Sequence, residues 1–473
     1  MIRYPTRRET MSSQERYYMH RFVAQIILEA TTPLKIGSGK SDLFVDAPVL
    51  KDWNGLPMIL GSSIAGVLRH SCDANIQNEL FGDSDTKNAN AKGSRFIVGN
   101  AHLLNKDGKI IYTLGRDDDP DFLNHYDNLP VREHTAINDK GVAKKHSKFD
   151  EEVVYKGSRF KFEIEFITDG SDNDKELWEK LLSKLASPLF RLGGGSTKGF
   201  GEMKVISCVE KEYKLGVDYQ SKPSDLNKPV GDAKSLTSDE KPLTYRIRLQ
   251  PEDFFIFGAG FGDEVVDDVA VTEKVVKWED KNGNKKEGEF SAEQILIPAS
   301  SLKGALSHRV AFHYNKIKKV YADEISLDDF DKHIGENNDA VATLFGAAKG
   351  HAKEAKGKAL FSDMFKKLKP NEVKIFDHVK IDRFTGGAVD SALYNEKVNA
   401  QKDIWEVKIV LREDINEDVR QAFENTLDDL ARGWLPLGGM TGRGHGVFIS
   451  PDYIGGDKNK RGWSRMGQGG SDE

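Results

Sequence analysis

Leu192–Gly201 reads LGGGSTKGFG, and Leu437–Gly446 reads LGGMTGRGHG. Both stretches carry Leu-Gly-Gly, a hydroxyl residue (Ser196, Thr441), a cation (Lys198, Arg443) and a closing Gly-x-Gly. Glycine at so many fixed places calls for a backbone at positive φ, or for one that another molecule approaches closely. One copy alone would pass for a flexible loop. A second copy 245 residues on (437 against 192) points to duplication.

The segments before each turn repeat too. Asp174–Phe190 places Leu177, Leu181, Leu182 and Leu185 at helical spacing, and Val419, Phe423, Leu427 and Leu430 do the same before the second turn. Each helix follows an alternating strand, Arg159–Thr168 in one half and Trp405–Leu411 in the other. Upstream, LGSSIAGVLRH (60–70) is echoed by PASSLKGALSHR (298–309), and LFG (80–82) by LFG (344–346). The first strands, Arg21–Ala30 and Leu243–Leu249, alternate as well. Hydroxyls at Ser62 and Ser63 read as the cap of one helix running to Leu80.

With the loops collapsed, each half runs β-α-β-β-α-β, a ferredoxin-like order with an open sheet face. The expected class is α+β: two tandem ferredoxin-like (RRM-like) domains with long inserted loops. The expected boundaries are an extension at 1–20, a first domain at 21–215 and a Ser/Asp/Lys/Pro-rich linker at 216–242. A second domain follows at 243–455, then a flexible Gly/Lys tail at 456–473.

Composition sets the outer bounds. The 473 residues, 30% charged and 38% hydrophobic, suffice for two substantial cores. No run of about 18 apolar residues occurs, so no membrane partner is expected. The N-terminal stretch lacks the apolar region of a secretory signal. Two cysteines, Cys72 and Cys208, exclude a disulfide framework or a cysteine-rich zinc site and fit a reducing cytoplasm. A net charge of −6 speaks against a surface coated throughout by nucleic acid. Lysine clusters at 144–148 and 349–369 still allow local basic grooves. IGSGKS at 36–41 is no P-loop: Leu34 stands where the first glycine belongs, and the next residues, with Pro48, read as extended.

The core order, the Gly-rich turn, the SS-[IL]-x-G helix start and the Asp-x-Pro-Val loop at 46–49 occur together. In combination they resemble the RAMP superfamily, specifically the backbone subunits of type III CRISPR effector complexes. The doubled chain is similar to the fused double-backbone subunit of type III-D variants. The resemblance implies a cytoplasmic protein that binds a guide CRISPR RNA, works beside other subunits and cleaves the paired target RNA in a metal-dependent way.

On the matching residues, the resemblance implies that Asp46 is the catalytic carboxylate and a ligand of a divalent ion, Mg2+ or Mn2+. Setting Val271 on Val49 places Asp268 on Asp46, with Asp267 the close alternative; Asp42, Asp263 and Glu264 read as solvated charges. RNA contacts are expected at the helix starts (Ser62, Ser63, Ser300, Ser301, with Lys303) and at the turns (Gly194, Lys198, Gly439, Arg443). Further contacts are expected where the long excursions begin, at Arg132, His134, Lys380 and Arg383. These follow from matching VREHTAINDKGV (131–142) to VKIDRFTGGAV (379–389), with Phe384 or Ile137 as a wedge against a base. Two alternatives stay open. One is a non-catalytic structural RNA-binding subunit. The other is a repeat-RNA processing endoribonuclease, which would need histidine chemistry such as His445 offers.

Overall fold

The computed structural model describes residues 18–39, 45–82, 92–115, 119–138, 140–280, 286–326, 328–348, 350–454, 457 and 460–467. Expectations placed on residues 1–17, Asp42, Lys349 and 468–473 lie outside these, as do Lys40 and Ser41 of the rejected P-loop.

Alternation in the first half yields β1 (His20–Ala30), whose Ala24, Ile26 and Leu28 are fully buried. Helices α1 (Gly61–His70) and α2 (Ala74–Phe81) follow, separated at 71–73 where the spacing alone predicts one helix. Short strands β2 (Phe96–Val98) and β3 (Ala101–Leu103) precede a hairpin of β4 (Val131–Ile137) and β5 (Ala143–Glu152). Then come β6 (Arg159–Thr168), α3 (Asp172–Leu185) and β7 (Met203–Lys214). The sheet is antiparallel in the order β2/β3–β6–β1–β7. Phe160, Phe162 and Phe166 from β6 meet Trp178 and Leu181 from α3 in one core, each buried aromatic contributing about 2–3 kcal/mol.

The chain after β7 does not cross open solvent. Asp232–Ala233 (β8) pairs with β7, and Tyr219 Oη donates to Glu165 at 2.9 Å. Lys222 bonds Glu163, Asn227 exchanges two hydrogen bonds with Ile110, and Val230 packs on Val23 and Tyr213. The segment read as a linker thus lies across the sheet face that the fold order predicts to be open. Glu163 and Glu165 explain why, because a polar sheet face needs polar partners once covered.

The second half repeats the order. Its first strand is β9 (Thr244–Pro251), and β10 (Val276–Asp280) with β11 (Lys286–Phe290) forms an added arm. Helices α4 (Ala299–Ile317) and α5 (Asp339–Phe345), strand β12 (Ala359–Phe361), and a hairpin of β13 (Val373–Ile381) and β14 (Ala388–Asn399) follow. The half closes with β15 (Trp405–Leu411), α6 (Glu417–Ala431) and the two-residue β16 (Phe448–Ile449). The sheet order is β12–β15–β9–β16, position for position that of the first half. Because β16 pairs only with Gln250 and Pro251, the rest of that β9 edge is taken by β17 (Trp463–Met466). Part of the expected flexible tail is therefore a strand. It is fixed by Trp463 Nε1 donating to Asp428 at 2.8 Å and by Arg465 bonding Glu424 at 2.9 Å.

The halves are clasped. Trp278 of the arm donates to the Gly157 carbonyl at 2.8 Å and lies 4.0 Å from the Arg159 guanidinium, while Phe290 packs among Phe122, Tyr126 and Tyr155. Beside the arm, Arg132 donates to Glu273 at 2.5 and 2.9 Å and to Asp363 at 2.6 Å.

Candidate active site

Asp46 lies on an exposed loop laid against the root of the first hairpin. Its backbone N–H donates to Asp150 Oδ1 at 2.7 Å, and its carboxylate accepts from the Asp150 N–H at 3.2 Å. Ala47 then bridges Glu151 in parallel register, and Val49 bridges Gly37, extended backbone where a P-loop would open a helix. In the second half the Asp267 N–H donates to Asn395 Oδ1 at 2.8 Å, and its carboxylate accepts from the Asn395 N–H at 3.0 Å. Asp268 pairs in parallel with Glu396, and Ala270 bridges Gly258. The register therefore sets Asp267 on Asp46 and Asp268 on Ala47, one residue away from the match made on Val271. Asp268 is half-buried, its carboxyl pushed up by burial and by the neighbouring Glu396 charge.

Beneath each acidic loop sits a fully buried glutamate. Glu151 bonds Lys35, and His134 Nε2 approaches it at 2.8 Å as an electrostatic contact, not an aligned hydrogen bond. Burial opposes the Glu151 charge, but His134 and Lys35 outweigh it and hold the carboxyl at about 2. His134 stacks on Phe149 at 5.0 Å, and Lys198 Nζ lies 4.4 Å over the same ring. The second half repeats the arrangement. Glu396 meets His378 Nε2 at 2.8 Å, His378 stacks on Tyr394 at 4.8 Å, and the Arg443 guanidinium lies 5.2 Å over Tyr394. Three consecutive residues of one strand (149–151, 394–396) thus gather the turn's cation, the loop's aspartate and the buried glutamate. Turn and acidic loop, far apart in sequence, share one strand. His445, offered for histidine chemistry, is buried 3.7 Å from Glu396.

The two Gly-rich turns share a geometry and differ in surroundings. Gly193 and Gly438 have φ of +78° and +89°, and a Cβ there would fall 2.1 Å from the Lys35 carbonyl and 2.3 Å from that of Ile256. The glycine pattern is thus explained by the turn's own folding. At Gly199 a Cβ would meet Ala299 at 2.4 Å, whereas at Gly444 it would meet nothing within 4 Å. The first turn is the joint between the halves: Arg412 donates to Ser196 at 2.9 Å, and Lys303 to Thr197 at 3.2 Å. Thr441, Gly442, Arg443 and Gly444 are exposed, as are Gly194 and Gly439.

Other expected site residues are placed as follows. The serines are not caps. The first helical N–H groups, of Gly61 and Ala299, instead bond Asn100 Oδ1 at 2.9 Å and Asp363 Oδ1 at 2.7 Å. Ser62 and Ser63 are exposed, whereas Ser300 and Ser301 are half-buried under the first turn. Burial and the nearby Lys198 bring Lys303 down to about 8. Arg132, expected to contact RNA, is instead buried, and its guanidinium donates to Glu273 and Asp363. Pairing of Phe376 with Glu396 and of Arg132 with Glu151 makes Phe376 the counterpart of Arg132 and His378 the counterpart of His134. Lys380 and Arg383 accordingly sit near the second hairpin's tip, not its root, and are exposed beside Phe384, which is 99% exposed. Ile137, near the first tip, is exposed too.

Sequence reasoning missed Asp150, Asn395 and the two buried glutamates. A signal existed: aromatic-Asx-Glu at 149–151 recurs at 394–396 with the same 245-residue offset as the Gly-rich turns. Among the described residues, no three His, Cys, Asp or Glu side chains converge as a cage for a metal ion. The Asp46 carboxylate would suit an ion such as Mg2+, which keeps its waters and takes one or two carboxylates beside a substrate phosphate. No helix among the described residues is long and apolar enough to cross a membrane.

One α+β unit used twice, each copy pressing an acidic loop and a Gly-rich turn against a hairpin root, is the class the fold and site define. The chain belongs to the RAMP superfamily, whose profile matches residues 27–204 and 279–449. It is similar to the "CRISPR system Cms endoribonuclease Csm3" of Methanocaldococcus jannaschii, with 29% identity over 245 residues. That match covers 46% of this chain and 92% of the relative.

Proposed function

We propose that the protein is a guide-RNA-binding backbone subunit of a type III CRISPR effector complex that cleaves guide-paired target RNA. In this reading it consists of two tandem ferredoxin-like domains fused in one chain. The observation that carries the proposal is the repeated acidic loop: the same aspartate, held by the same reciprocal bonds, stands at an exposed rim in both halves. The similarity to a protein named an endoribonuclease supports it.

In this reading Asp46 and Asp267 orient the 2′-hydroxyl that attacks the adjacent phosphate and expels the 5′-oxygen of the next nucleotide, and Arg443 and Lys198 hold neighbouring phosphates. A divalent ion held by Asp46 would offset charge developing on the scissile phosphate. The exposed hairpin tips, with Lys380, Arg383 and Phe384, face the duplex. The free second turn faces another subunit, as the first turn faces α4.

The register makes a specific demand. Asp267→Ala should erase one cleavage product on a denaturing gel while Asp268→Ala keeps it; the reverse pattern would return the role to Asp268. Arg443→Ala should weaken RNA binding and flatten the dependence of log affinity on log salt by about 1. Lys198→Ala, partly shielded by Phe149, should act in the same direction and less. Equal slopes for Arg443→Ala and the parent protein would remove that residue from the RNA path.

A further inference from the structure

We propose that Asp150 and Asn395 are positioning residues that hold the carboxylates of Asp46 and Asp267 in the cleaving orientation. The inference rests on the reading that those two aspartates act on RNA.

An exposed aspartate on a loop ordinarily samples several χ1 rotamers. Here each is held twice. Its backbone N–H is bound by the side-chain oxygen of the hairpin residue, and its carboxylate by that residue's N–H. The closed pair fixes loop and carboxylate against β5 or β14 together. The next hairpin residue is a fully buried glutamate, anchored by Lys35 and His134 in one half and by His378 in the other. The clasp therefore stands on a rigid root.

The halves differ in one informative way. Residue 150 is a carboxylate and residue 395 an amide, yet Oδ1 accepts the same bond in both. What the geometry requires at this place is an acceptor oxygen, not a negative charge. Asparagine should therefore replace Asp150 at little cost, and alanine should not. Asp150 has no part in the core, and Asn395 is half-exposed, so neither change threatens the fold.

The test uses the reconstituted complex with its guide, following each product band separately and resolving kcat from KM. Asp150→Ala should lower kcat at the Asp46-dependent band by about 10- to 100-fold with KM unchanged, the scale of a misplaced catalytic group. Asp150→Asn should restore kcat to within about twofold. Asn395→Ala should behave likewise at the other band. Full activity in Asp150→Ala, with the band lost in Asp46→Ala, overturns this inference alone. Asp150→Asn as inactive as Asp150→Ala also overturns it, since the carboxylate itself then acts. An unchanged band in Asp46→Ala overturns the cleavage reading, and this inference with it.

Discussion

Asp46→Ala should remove one cleavage product, slowing that cut by about 10²- to 10⁴-fold, while guide binding and thermal melting stay as they were. The asymmetry follows from where Asp46 sits. Its side chain is exposed and, among the described residues, accepts one hydrogen bond, from the Asp150 N–H, which water can replace once the carboxylate is gone. Exposed substitutions of this kind change stability by no more than about 0.5 kcal/mol. The loop stays in place, because Ala47 and Val49 keep their bridges to Glu151 and Gly37, and Val49 N–H keeps Glu152 at 2.7 Å. A gel comparing product bands, with binding measured on the same preparations, checks both halves of the statement. Identical bands from the variant and the parent complex would leave a structural RNA-binding subunit as the better reading.

The sequence reveals the parts of this fold whose pattern is hydrophobic and strictly periodic. Arg159–Thr168 and Trp405–Leu411 emerge as strands with those bounds because every second side chain enters a core, so a one-residue slip would turn the whole set outward. The hairpins carry no such constraint. Their strands are largely exposed and polar, and nothing in their composition distinguishes Phe376 from Lys380 as the counterpart of Arg132. The same weakness lies behind the slip between Asp267 and Asp268. In a two-residue ladder a shared valine is a poorer guide than the bridge that Ala270 makes to Gly258. The Gly-rich turn was legible as a landmark. Its role in the first half was not, since the contact with Ala299, Lys303 and Arg412 is tertiary and spans 100 residues or more.

The second large effect concerns the joint, and it separates an RNA contact from a structural one. Arg132→Met should destabilise the protein by about 3–5 kcal/mol, the cost of leaving buried carboxylates without their cation. Glu273 and Asp363 are both buried, and burial already pushes the Glu273 carboxyl upward against the pull of Arg132. For Arg132 itself burial disfavours the charge, but Asp363 and Glu273 outweigh it and raise its pKa further. Methionine fills a similar volume and offers no donor, so the strain falls on the two acids. One of them, Asp363, also holds the Ala299 N–H at the start of α4, directly under the first Gly-rich turn. Loosening it should let the halves part, so the denaturation midpoint should fall and the transition broaden or split. RNA affinity measured well below that midpoint should keep its salt dependence, because a guanidinium enclosed by Glu273, Asp363 and Phe200 reaches no phosphate. An Arg132→Met protein with an unchanged midpoint and a flatter salt slope would reverse the assignment and restore Arg132 to the RNA path.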